Sequence, residues 1–225
     1  MQKFIYIIIS KTPTRFGSLV RKCAKQSYNH ASIALDEDLT QIYAFARTKH
    51  NAPLMGGLVR ESLDRFTLRR DKSVPVMVFK IPVTQEQYNY ISSLIDEMLY
   101  NKKYVYNLFS VFLYPIFKGF TVKNAFSCIE FVAYILQYLG FCTSKAACKY
   151  KPDDLMQELS EYTFLNDDIR SCTKYNPKHN SYFDAFQWRI IPKSIASIFR
   201  IIKHGFYRNA IQSNLALFRI SVDIC

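Results

Sequence analysis

The run Phe4-Ile5-Tyr6-Ile7-Ile8-Ile9-Ser10 constrains this chain more than any other segment. Side chains branched at Cβ are stiff and favour extended backbone, and an apolar run of this length, bounded by polar residues, reads as a buried strand. Met1-Gln2-Lys3 ahead of it suggests a secretion signal. Against that, the run sits at the short limit for such a signal, contains a tyrosine, and meets Lys11-Thr12-Pro13-Thr14-Arg15 with no small-residue cleavage site. A cytoplasmic protein is the expectation, and with it free thiols at Cys23, Cys128, Cys142, Cys148, Cys172 and Cys225.

A buried strand needs a core around it. The 225 residues, 49% hydrophobic, can build one substantial core with an appendage. Aromatic content of 16%, few glycines and prolines, and the lack of any eighteen-residue apolar run exclude disorder, collagen-like sequence and an integral membrane protein. The formal charge of +12 favours anionic partners.

Phe16, Leu19, Val20 and Cys23 recur at helical spacing, predicting a short amphipathic helix within 13–26. His30 to Leu35 and Gln41 to Ala46 form a hairpin around the acidic turn Asp36-Glu37-Asp38. Residues 47–73, rich in charge and holding Pro53 and Gly56-Gly57, read as a long loop of the kind that shapes a binding site. Val74 to Val83 is a strand whose prolines point to an edge or a strand end.

Thr84 and Gln87 have capping-box spacing ahead of a helix to about Tyr100, with Tyr88, Ile91, Leu94, Ile95, Met98 and Leu99 on its apolar face. Tyr104 to Phe120, broken by Pro115 and Gly119, reads as a covering segment rather than one helix. Ser127 and Glu130 cap a central helix from Cys128 to Leu139 that ends at Gly140, and Pro152 opens a further short helix. Composition shifts after Asn176, giving a main unit over 1–176 and an extension over 177–225.

The Ser127 cap places Cys128 at the first helical position. There, free N–H groups and the positive end of the helix dipole stabilise a thiolate. A thiol nucleophile needs a proton acceptor. His30 is the best placed of the four histidines: it begins a strand on which Ser32 and Ala34 share its face, leaving a low surface for a helix to approach. His50 lies in the long loop, and His179 and His204 in the extension.

Tyr28-Asn29-His30-Ala31-Ser32-Ile33-Ala34-Leu35-Asp36, followed by Phe126-Ser127-Cys128-Ile129-Glu130-Phe131-Val132-Ala133-Tyr134, resembles the circularly permuted papain-like enzymes of the NlpC-type superfamily, above all its YiiX-like bacterial members. The strand Ile5 to Ser10, the turn Lys11 to Thr14, and Gly56-Gly57-Leu58-Val59-Arg60-Glu61 add to the likeness, which spans about Met1 to Leu165. The resemblance implies an α+β fold in which an antiparallel sheet packs against a central helix carrying the cysteine at its N-terminus. It also implies a thiol hydrolase or acyltransferase with the histidine strand ahead of the cysteine helix. Cys128 then attacks a carbonyl to give an acyl-enzyme, His30 moves the proton, and the Cys128 N–H is one oxyanion donor.

The family's polar residue on the strand after the histidine matches Ala44 here, which cannot bond an imidazole. Glu61 is the substitute, with Gln41 a weaker one, while Glu130 is assigned to helix capping. Cys142, Cys148, Cys172 and His179 lack zinc-site spacing, no glycine loop cradles a phosphate, and no metal or cofactor is expected.

Within 192–212, Ile195, Ile198, Phe199, Ile202 and Phe206 recur at helical spacing among Lys193, Arg200, Lys203 and Arg208, with Trp188 and Arg189 just ahead. Such a basic amphipathic helix either packs on the main unit or lies on an anionic membrane, which would put the protein at the inner membrane face. Three functions compete: a cysteine hydrolase acting on a small-molecule, peptide or lipid acyl or amide bond; a membrane-associated lipid acyltransferase or lipase on the same Cys-His pair; and an inactive binding protein. No reader motif supports nucleic-acid binding.

Overall fold

In the computed structural model, which describes residues 2–185 apart from 15–16, 19–20, 23–25 and 53–54, the isoleucine-rich run is β1 (Lys3–Ser10). It is followed by β2 (His30–Ala34), β3 (Ile42–Arg47), β4 (Gly56–Arg60) and β5 (Pro75–Val83). A small parallel pair, β6 (Val105–Tyr106) with β7 (Ala125–Phe126), and then β8 (Thr163–Asp168) complete the strands. The main sheet has the order β4-β3-β2-β1-β5-β8, and every pairing in it is antiparallel.

β1 fails to alternate because both its faces are covered. Ile5, Ile7 and Ile9 join Ala31, Ile33, Phe79 and Ile81 in the larger core, while Tyr6 and Ile8 join Ala34, Ile42, Val76 and Val78 in the smaller one. Helices supply the covers. α1 (Leu63–Thr67) contributes Phe66 to the smaller core, and α2 (Gln85–Tyr100) contributes Ile91, Ile95 and Met98 to the larger. After the short α3 (Leu108–Phe112) and α4 (Tyr114–Phe117) comes α5 (Cys128–Tyr138), which sends Phe131, Val132, Ile135 and Leu136 into the larger core. α6 (Pro152–Glu158) and α7 (Ile169–Cys172) complete the set. The chain is a mixed α+β protein built on an antiparallel sheet.

Both capping boxes form. Gln87 N–H donates to Thr84 Oγ1 at 3.1 Å and Thr84 N–H to Gln87 Oε1 at 2.8 Å; Glu130 N–H donates to Ser127 Oγ at 3.1 Å and Ser127 N–H to Glu130 Oε2 at 3.3 Å. Gly140 follows α5 with a φ of +88°, a conformation that favours glycine.

Several expectations are corrected. The stretch 47–73 is not a loop: it holds β4 and α1, the strand set by Leu58 and Val59 and the helix by Phe66, which the density of charge and glycine conceals. β5 is not an edge strand, since β8 pairs with it from Pro75 to Phe79. Its prolines fit because Pro75 is the first strand residue and Pro82 lies past the point where β8 stops. The α5 helix does not approach over Ser32 and Ala34, but packs on the opposite face, against Ala31 and Ile33. Of the extension, residues 177–185 are described, and Ser181 and Tyr182 lie against the β3–β4 connection. The amphipathic segment 192–212, the cysteines Cys23 and Cys225, and Phe16, Leu19 and Val20 lie outside the described residues. Among the described residues no helix is long and apolar enough to cross a membrane.

Candidate active site

His30 is the first residue of β2, opposite Ser10 in β1. The residue before it is firmly held: Asn29 donates to Thr12 Oγ1 at 2.6 Å, accepts from the Arg21 guanidinium, and gives its backbone N–H to Ser10 O at 3.2 Å. The ring therefore leaves the sheet at a fixed strand end, and the N-terminus of α5 arrives at the same end. Cys128, 4% exposed as a residue, lines the same cavity as His30 and lies close enough for the imidazole and the Ala31 and Ile129 backbone to act on its thiol.

Glu61 comes from the other side. Its N–H donates to Ile42 O at 2.8 Å, carrying the β3–β4 pairing one residue beyond β4. Its carboxylate, 4% exposed as a residue, reaches His30 Nε2 with Oε1 at 3.3 Å. Nδ1 is then the ring nitrogen left for the thiol. The second oxygen, Oε2, accepts from Arg65 Nε at 2.8 Å, one turn later on α1. Arg65 also donates to Arg47 O at 2.8 Å and stacks 4.2 Å from the centre of the Tyr182 ring.

The electrostatics follow from this chain of contacts. Burial pushes the Cys128 thiol up, but the adjacent His30 imidazolium, its hydrogen bond and the two backbone N–H groups outweigh burial and hold the thiol below its ordinary value. Burial works against the charged imidazole as well, yet the thiolate and the Glu61 carboxylate raise it. Burial likewise opposes ionisation of Glu61, and Arg65 with His30 overcomes it, so this carboxyl sits below the usual range. The arrangement favours the charged forms of Cys128 and His30, with a carboxylate and a guanidinium behind them. Cys142, Cys148 and Cys172 go the other way, each raised above an ordinary thiol chiefly by burial.

The three residues open on a cavity of about 220 Å³ walled by Phe45, Tyr106, Ile129, Tyr150 and Tyr182. Within this wall, burial and the Cys128 thiolate push the Tyr106 phenol above the ordinary value, and Arg47 pulls it down.

Other sequence candidates fall elsewhere. Ala44 is buried in β3 opposite Val59, and exposed Gln41 gives its N–H to Asp36 Oδ1 at 2.7 Å. His50 stacks on Phe183 outside the cavity, exposed His179 lies 3.9 Å from Asp184, and His204 is outside the described residues. Glu130 makes its capping bonds, its carboxyl pushed up to about 8 by burial. Among the described residues, no three His, Cys, Asp or Glu side chains gather as a metal set.

Arg47, Arg65, Tyr106 and Tyr182 were not singled out by the sequence reading. Only Arg65 left a usable signal, the i, i+4 spacing from Glu61. A search of family models, of curated proteins and of solved structures finds no match to this chain.

Proposed function

We propose that this chain is a cysteine hydrolase acting through an acyl-enzyme, with Cys128 as nucleophile, His30 as acid and base, and Glu61 as the residue that orients the imidazole. The observation carrying this reading is the meeting of Cys128, at a capped helix start, with His30 in one cavity, with Glu61 Oε1 3.3 Å from His30 Nε2. The order of parts, histidine strand before cysteine helix, supports a permuted papain-like arrangement.

The thiolate sulfur of Cys128 forms a bond to the carbonyl carbon of an ester, thioester or amide, and the carbonyl π electrons move onto oxygen. The Cys128 N–H, at the first position of α5 and free of intrahelical bonding, faces that developing charge. Collapse breaks the bond to the leaving group, which takes the proton from His30. Neutral His30 then accepts a proton from water as hydroxide attacks the thioester, and the sulfur leaves as thiolate. Glu61 keeps its charge throughout and stabilises the imidazolium, while Arg65 holds Glu61 in place.

The test is mass spectrometry of the intact protein after incubation with pools of short acyl thioesters and peptide amides. An added acyl mass on the Cys128 peptide, absent in Cys128→Ala and lost or formed far more slowly in His30→Ala, is the expected result. Failure to acylate Cys128 with any pool, together with an ordinary thiol titration, overturns the proposal.

A further inference from the structure

Glu61 is the one carboxylate among the described residues lining the cavity, and both its oxygens are occupied, by His30 and Arg65. Arg47, at the end of β3, lines the same cavity and is half-buried. Among the described residues its guanidinium donates to two neutral oxygens, His50 O at 3.2 Å and Tyr182 Oη at 3.3 Å, both longer than the commonest N–H···O distance. A guanidinium carries five N–H donors, and these two bonds leave the others without an acceptor among the described residues. No carboxylate of the described residues pairs with it, unlike Arg65 beside it. A cation partly withdrawn from water without a counter-charge costs stability, and a ligand anion recovers that cost. The position is also close to the chemistry, because Arg47, Tyr106 and Cys128 line the same cavity.

Resting on the reading of Cys128 as nucleophile, we propose that Arg47 is a substrate-binding residue of this cavity, receiving a carboxylate or phosphate borne by the acyl compound whose carbonyl Cys128 attacks. A planar, forked guanidinium suits both anions. A cavity of about 220 Å³ with aromatic walls accepts a short acyl segment rather than a bulky one. The substrate class is a small anionic acyl compound, or the anionic end of a larger one.

Alkylation tests this without requiring turnover. The Cys128 thiolate displaces iodide from iodoacetate, an anion, or from iodoacetamide, its neutral counterpart, and peptide mass spectrometry follows Cys128 alone. In Arg47→Gln the ratio of the iodoacetate rate to the iodoacetamide rate is expected to fall by about tenfold, the scale of a lost charge-assisted hydrogen bond, and Arg47→Lys to restore part of it. A ratio unchanged within about twofold overturns the proposal. Should Arg47→Gln not fold, protection of the wild-type protein decides. Slowing of Cys128 alkylation by succinate at constant ionic strength assigns a carboxylate, slowing by inorganic phosphate assigns a phosphate, and no slowing by either at tens of millimolar overturns the assignment. An iodoacetamide profile like that of a free thiol would sink the Cys128–His30 reading instead, a result independent of the Arg47 ratio.

Discussion

Cys128 and Cys148 line one cavity and are both buried, yet their thiols are driven in opposite directions. Burial acts on both, and only Cys128 has an imidazolium and two backbone N–H donors to oppose it. Its alkylation by iodoacetamide is therefore expected to persist as pH falls below ~8.5, where an ordinary thiol loses its reactive form. In His30→Ala the largest opposing charge is gone and burial dominates, so the rate profile moves above that value; overlapping profiles for the two proteins would contradict the assignment. The Glu61–Arg65 pair has side chains only 5% and 8% exposed, so removing one partner strands the other in a poorly solvated site. Arg65→Ala is expected to cost about 3–5 kcal/mol in denaturant unfolding. The nucleophile and base were legible because a helix cap and a strand start are local features. Glu61 was legible only through the Gly56-to-Glu61 motif, and Arg47, Tyr106 and Tyr182 were hidden because distant pairings bring them to the cavity.

Among the elements, α2 and α5 were readable to within a residue, since each carries a capping box and an apolar stripe whose period needs no partner. β4 and β8 were not. β8 runs Thr-Phe-Leu-Asn-Asp-Asp with mostly exposed side chains, and only its backbone bonds to β5 make it a strand. β4 starts on two glycines, poor strand formers, and the reason is steric: a Cβ on Gly56 would lie 2.4 Å from Tyr106 Cβ and 2.9 Å from Ala46 O. The glycine lets β4 and the β6 segment close over the cavity. Gly56→Ala is expected to destabilise by about 1–3 kcal/mol, read from the denaturation midpoint, and to slow Cys128 alkylation because Tyr106 must move. Loss of stability with an unaltered alkylation rate would mean that Gly56 serves packing alone.

At the scale of the whole molecule, residues 177–185 return to the main unit and bring Tyr182 to the cavity wall. Lys49 Nζ donates to Ser181 O at 2.6 Å and pairs with Asp184 at 2.6 Å, Asn180 donates to Ser62 Oγ at 2.9 Å, and these bonds press Tyr182 over Arg65. A composition shift marked this boundary in the sequence, but composition cannot show where a strap returns. Two buried carboxyls give global stability opposing dependences on pH. Glu61, depressed in the fold, adds stability above its unfolded value, and that stability is lost as pH falls through the folded one. Glu130, raised to about 8, does the reverse: between its unfolded value near ~4.5 and about 8 the native state holds a proton that the unfolded chain releases, so stability declines across that window. Glutamine at this position keeps the acceptor for Ser127 N–H and carries no charge. Unfolding free energies of the wild-type protein and Glu130→Gln are thus expected to agree near pH 4, then diverge with rising pH until the variant is more stable by about 3–5 kcal/mol at pH 9. Parallel curves from pH 4 to 9 would mean that the Glu130 carboxyl ionises in the fold as freely as in water, and that burial of the α5 cap does not govern its charge.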